Sequence, residues 1–309
     1  MMIETNSKQG MAFAAAFLSL VSVQIGAAIA KVLFPILTAE GVTLTRLALS
    51  ACFLWVVFKP WRQWNKQTNW KNLIIYGSIL TLMNTLVYKA FSYMSVGIAI
   101  SIEVLGPLTV AILMSKNKLD YFWGGLSIIG LLLLPMGNAN NNFSFIGMTY
   151  ALLAAVGWGL YVIYGSKVAQ GGGSSVATGM FIAALFATPL GASHIIHIFD
   201  SYKILFTCLL MAMLASAIPF ILDMIAMKKL HPRVFGILLS ASPAVSALAG
   251  WLILDERLNS FQVLGITIIM ASCAGCSYFS YKRNKVYAEI SILLYINISC
   301  KHDIDRSKI

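Results

Sequence analysis

The chain has 309 residues, 59% of them hydrophobic and only 11% charged, with a net charge of +11 and a mean hydropathy of +0.81. Soluble domains carry about 25% charged residues, so this chain lacks the polar side chains to cover a globule and reads as an all-α, polytopic membrane protein. The apolar runs are long and continuous, which excludes a β-barrel with its alternating pattern. The positive charge sits in short links between them, which points to membrane topology rather than to nucleic acid.

Ten apolar runs follow one another, at 11–33, 42–58, 73–93, 96–115, 122–136, 146–165, 176–198, 204–227, 234–254 and 261–281. About 20 apolar residues at 1.5 Å each cross a hydrocarbon core of roughly 30 Å. The first run is too long for a signal peptide and is followed by further spans, so it reads as an uncleaved first helix. Lys59, Arg62, Lys66 and Lys71, then Lys116 and Lys118, Lys167, Lys228, Lys229 and Arg233, and Lys282, Arg283 and Lys285 fall in alternate links together with Lys8, whereas the opposite links hold only Lys203 and Arg257. Basic links face the cytoplasm, which puts both termini there. Trp61, Trp64 and Trp70 flank the basic second link as interfacial aromatics do.

The segment from Met94 to Leu108 aligns with the segment from Leu230 to Ala244, with Pro107 against Pro243. Each segment ends in a short polar link and then enters another span. This offset leaves five spans in each half, and an odd number inserts the halves with opposite orientation. The expected plan is therefore two inverted five-helix repeats, at 11–136 and 146–281, with a site at mid-membrane between them. Residues 1–10 form a cytoplasmic N-terminus and 282–309 a cytoplasmic tail.

In chain order, Gln24 could line a polar cavity, though an interhelical hydrogen bond is the plain reading. Lys31 and Lys89 lie near span ends, where long stems lift their charges to the headgroups. Arg46 lies about a turn deeper and could clamp a solute carboxylate bidentately or pair with Glu103. Asn84 and Tyr88 sit one turn apart on the third span, and Trp158 and Tyr161 share a face of the sixth; each pair is a candidate cavity lining. Glu103 is the strongest candidate, because a carboxylate in a span is expensive unless it faces water, a partner or a proton. Pro107 follows one turn later and breaks the backbone where Glu103 sits. Gly171 to Ser175 reads as a flexible link. Asp223, four residues after Pro219, is either a gate or proton site or an interfacial acid paired with Lys228 or Lys229. Pro219 and Pro243, like Pro107, are helix-break positions. Cys273 and Cys276 form a CxxC inside a span and read as small packing residues, and His194 and His197 are too sparse for a metal site. No nucleotide motif and no nucleophile–base constellation stands out, which points away from an enzyme and from any cofactor.

The run from Ala217 to Leu258 resembles the drug/metabolite transporter superfamily of the EamA type. The run from Gly97 to Trp123, with Glu103 before Gly106 and Pro107, is similar to its threonine and homoserine exporter branch. Pro219, Asp223, Gly236 and Pro243 match the eighth and ninth helices of that pattern. One departure is Ser242, where the branch often carries an acid, and this argues against a symmetric two-carboxylate mechanism. The resemblance implies a bacterial inner-membrane protein that exports small neutral amino acids by proton antiport and alternating access; two inverted halves suffice for a monomer, with a weak homodimer as the alternative. The competing expectation is a carrier, inward or outward, of a nucleoside, a methylated cofactor or a cationic drug.

Overall fold

The structure, a computed structural model, describes residues 2–64, 68–115, 118–136, 143–227, 230 and 232–279. The expected tail at 282–309, the end of the tenth span, and Lys228 and Lys229 as partners for Asp223 lie outside the described residues. The chain folds as an all-α membrane protein. Its helices are α1 (Met2–Val32), α2 (Phe34–Phe58), α3 (Trp70–Tyr93), α4 (Val96–Glu103), α5 (Leu105–Leu113), α6 (Lys118–Leu133), α7 (Phe145–Ala169), α8 (Gly172–Ile195), α9 (Tyr202–Ala212), α10 (Ile218–Met227), α11 (Pro232–Leu239), α12 (Ser242–Leu254) and α13 (Ser260–Phe279). Among the described residues nine helical stretches are long and apolar enough to cross a membrane. The 16-residue α6 falls short of that length.

Three expected spans are broken, each just before a proline. Pro107 has no N–H to offer the carbonyl of Glu103, and the helix is interrupted at Val104 between α4 and α5. Pro219 has none to offer Ala215, and a π-turn (Met213–Ala217) separates α9 from α10. Pro243 has none to offer Leu239, whose carbonyl instead accepts from Ser242 Oγ at 2.6 Å, between α11 and α12. A proline inside a helix removes one main-chain bond and clashes with the preceding turn. In the membrane the freed carbonyl must find another donor or water.

Two elements begin earlier than expected. α2 winds back to Phe34, with Pro35 in its first turn, where a missing N–H costs nothing. It is kinked at Thr38, which has φ 57° and ψ 170°. The Gly-rich link is shorter than expected, because Gly172 to Ser175 form the first turn of α8.

Packing joins the first part of the chain to the second. α2 lies on α8, α3 on α7, α1 on α10 and α4 on α12. Small residues allow these approaches, as is usual between membrane helices. Gly130 of α6 and Gly265 of α13 face each other so closely that a Cβ on either would lie 2.8 or 2.7 Å from the other's carbonyl oxygen. A Cβ on Gly97 would lie 2.7 Å from Ala247 Cα, and one on Gly106 would collide with the Ala155 carbonyl. Cys273 and Cys276 are buried thiols in α13.

Candidate functional site

Two of the three broken spans, at the end of α4 and at the π-turn before α10, border a cavity of about 220 Å³. Arg46 reaches it from α2, Asn84 and Tyr88 from α3, Glu103 from the end of α4, Trp158 and Tyr161 from α7, and Pro219 and Asp223 from α10. All six side chains expected to bind substrate or protons thus line one space. Pro107 and Pro243 do not line it; the helix breaks at these prolines fall next to Glu103, which does, and Ser242, which does not.

Arg46 is held on three edges. Its Nε donates to Ser216 Oγ at 2.8 Å, Nη1 to Tyr88 Oη at 2.9 Å and Nη2 to the Ala215 carbonyl at 2.8 Å. That carbonyl is the one Pro219 leaves without its helical donor, so the proline creates the acceptor that fixes the guanidinium. Ser22 and Ser50 donate to the neighbouring carbonyls of Leu214 at 2.8 Å and Ala212 at 3.1 Å. A guanidinium has five N–H donors, and three are used here. The other two are the number that a bidentate carboxylate takes.

Glu103 is buried, with 5% of its surface exposed. Among the described residues it has no hydrogen bond and no ion pair, and the Arg46 guanidinium is turned to Ser216, Tyr88 and Ala215 rather than to it. The expected alternative of an Arg46–Glu103 pair is therefore not the arrangement found. Asn84 donates its Nδ2 to the Leu80 carbonyl at 2.8 Å, which leaves the amide oxygen for a ligand. Gln24 departs from the plain reading. It lines the cavity but makes no interhelical hydrogen bond among the described residues, and its Oε1 is buried without a partner. Asp223 sits at the same cavity with Ser19 beside its carboxylate.

Lys31 and Lys89 each have an acidic partner. Lys31 pairs with Glu256 at 2.7 Å and Lys89 with Glu40 at 2.9 Å. Lys31 also donates to the Met94 carbonyl at 2.7 Å, and Glu256 accepts from the Val96 N–H at 2.9 Å. The Lys31–Glu256 pair is largely enclosed, whereas the Lys89–Glu40 pair stays open to solvent, with side chains 35% and 27% exposed. Lys31, Glu40 and Lys89 line a second space of about 540 Å³. The rings of Phe34 and Tyr88, 5.8 Å apart, and of Tyr88 and Phe91, 5.6 Å apart, stand between this vestibule and the central cavity. Glu40, Glu256, Ser216 and the aromatic partition were not found from sequence. Only the freed carbonyl at Ala215 left a local signal, through its spacing from Pro219.

A many-helix membrane bundle in which broken helices border a small cavity, with an anchored cation and an acid unpaired among the described residues, has the architecture of a secondary transporter. Residues 145–278 match the EamA-like transporter family. The chain is 37% identical over 273 residues to the threonine/homoserine exporter RhtA of Salmonella typhimurium strain SL1344, covering 88% of this chain and 92% of that one. It is 36% identical over 270 residues to the protein of the same name from Escherichia coli strain K12, covering 87% and 92%. A crystal structure with 14% sequence identity has the same fold, with a TM-score of 0.61 over 88% of this chain and 96% of that one. The chain belongs to the EamA-like transporter family of the drug/metabolite transporter superfamily and is similar to its RhtA branch.

Proposed function

We propose that this protein exports small neutral amino acids of the threonine and homoserine type across the inner membrane, in exchange for protons and by alternating access. The observation that carries this reading is one cavity with two opposite and complementary groups. Arg46 keeps two donors for a carboxylate, and Glu103 is an acceptor with no partner for an ammonium or a proton. The cavity volume of about 220 Å³ equals roughly seven waters at about 30 Å³ each, which suits a single small zwitterion. Drug-sized ligands occupy about 300–1,000 Å³, and a cationic solute has no use for an anchored guanidinium. The names of the RhtA relatives support the same substrate class.

The cycle is then as follows. A cytoplasmic amino acid enters and displaces water from Arg46 and Glu103. The bundle rocks so that the cavity opens to the other side. Glu103 takes a proton there and releases the ammonium, and it gives the proton up again when it faces the cytoplasm. Ten spans in two inverted halves, acting as a monomer with both termini cytoplasmic, supply the two alternating faces. One geometric regularity supports the inverted plan. The offset that carries Pro107 onto Pro243 turns the Gly41–Gly191 approach into the Trp55–Ala177 hydrogen bond at the opposite end of the same two helices.

The test is expression in cells poisoned by excess homoserine or threonine. Resistance with faster efflux of the labelled amino acid is the expected result. Unchanged sensitivity, with the protein verified in the membrane, would refute the substrate assignment.

A further inference from the structure

At the end of the bundle opposite the Lys31–Glu256 pair lies a third space, of about 290 Å³, that shares no lining residue with the central cavity. The N-termini of two long helices converge on it, α3 at Asn69 and α8 at Gly171. Each helix is 24 residues long. The first turn of α3 is capped by Asn69, whose Oδ1 accepts from Asn72 N at 3.1 Å, whereas the first turn of α8 has no side-chain cap. Unsatisfied N–H groups and the positive end of the dipole make such a terminus a site for anions. Lys167 adds a full positive charge to the lining, and no carboxylate is among the lining residues.

A second observation is independent of the helix ends. Ser174 lines this space and is only 6% exposed, yet its hydroxyl has no hydrogen-bond partner among the described residues. Its side chain is thus largely enclosed by protein while the hydroxyl opens on the pocket, available to whatever fills it. The depth is marked as well. Trp61, Trp64 and Trp70 are half-exposed beside the pocket, and Trp64 fixes its rim by donating to Thr178 Oγ1 at 3.1 Å. Tryptophan gathers at the headgroup level of a bilayer, and basic pockets between helices at that level take lipid headgroups.

The geometry points to a structural binding site for a phosphate ester anion in this pocket, with the first turn of α8, Ser174, Lys167 and Asn72 as its donors. At this depth the source is the headgroup of an anionic phospholipid, and the same chemistry would accept free phosphate. The site is independent of which solute the central cavity carries.

The test uses the full-length protein in nanodiscs of phosphatidylcholine, with and without phosphatidylglycerol, read by thermal unfolding and by the lipid retained in native mass spectrometry. Phosphatidylglycerol should raise the unfolding midpoint and be retained over phosphatidylcholine by about fivefold, the effect of one basic side chain at the surface. Lys167→Gln should bring that preference to parity. So should Asn72→Asp, which sets a negative charge on a partly exposed position in the pocket lining. Inorganic phosphate added to phosphatidylcholine nanodiscs separates the sources. If it raises the midpoint and phosphatidylglycerol adds nothing further, the pocket is an anion site filled from solution. No preference in the wild type, or a preference that survives both substitutions, would overturn the proposal.

Discussion

Lys31 and Glu256 stand 225 positions apart in the chain and meet at 2.7 Å. The pair ties the end of α1 to the link between α12 and α13, and through Met94 and Val96 to the link between α3 and α4. Glu256 is 9% exposed, so the charges hold each other largely without water. Breaking one side of such a pair costs about 3–5 kcal/mol. In the proposed alternating cycle, that cost falls on the conformation in which the pair exists.

Lys31→Met should therefore open this end. With the native cysteines replaced by alanine and a cysteine placed at Asn84, a membrane-impermeant thiol reagent applied from that side should react faster, by roughly a hundredfold for a shift of about 3 kcal/mol. An unchanged labelling rate would show that the pair is only structural.

Glu103→Gln keeps the shape of the side chain and removes its charge. Amino-acid efflux should drop to the level of cells lacking the protein, and a protonophore should have no further effect, while membrane insertion is unchanged. Wild-type efflux in this variant would take Glu103 out of the mechanism.

Arg46→Lys preserves the charge but not the planar fork that reaches Ser216, Tyr88 and Ala215 together. The Ala215 carbonyl then loses its donor, at about 1–3 kcal/mol of stability. The concentration of solute for half-maximal efflux should rise about tenfold or more, since hydrogen bonds to charged groups contribute about 1.5–3 kcal/mol. Thermal unfolding of the purified protein and a concentration series in efflux measure the two effects separately.

Pro219→Ala restores an N–H that can reach Ala215. The variant should be as stable as the wild type or more so, because a helix proline is gone, yet it should transport poorly, because the restored bond competes with Arg46 for the carbonyl. A variant that is both stable and fully active would disconnect the π-turn from function.

Gly106→Ala sets a methyl group against the backbone of Ala155 in α7. Main chain cannot move aside as a side chain can, so the cost should reach or exceed the 1–3 kcal/mol usual for overpacking. Reduced yield and a lower unfolding midpoint are the expected readouts.

Much of the central site was legible because membrane sequences penalise polar residues strongly. Arg46, Asn84, Glu103 and Asp223 stand out against apolar neighbours, and an isolated polar group in a span has few reasons to persist unless it faces a cavity. The prolines were legible in the same way, and each break falls where the missing N–H puts it. The partners of the two lysines, Glu40 and Glu256, were not legible because they lie in stretches that look like ordinary links. Gln24 was assigned a hydrogen bond on general grounds, and only the packing around α1 decides that its amide faces a cavity instead.

From the order of residues alone followed the membrane class, the helical architecture, the breaks at Pro107, Pro219 and Pro243, and the set of polar side chains with business inside the bilayer. Those properties depend on local chemistry: the hydropathy of a run, the absence of one N–H, the cost of one charge. Tertiary structure decided which of these groups share a space, that Arg46 is tethered to the π-turn while Glu103 stands unpaired, and that Lys31 finds Glu256. Such pairings depend on which helices touch and how closely, and that is set by contacts between residues far apart in the chain, of which no single segment carries a trace.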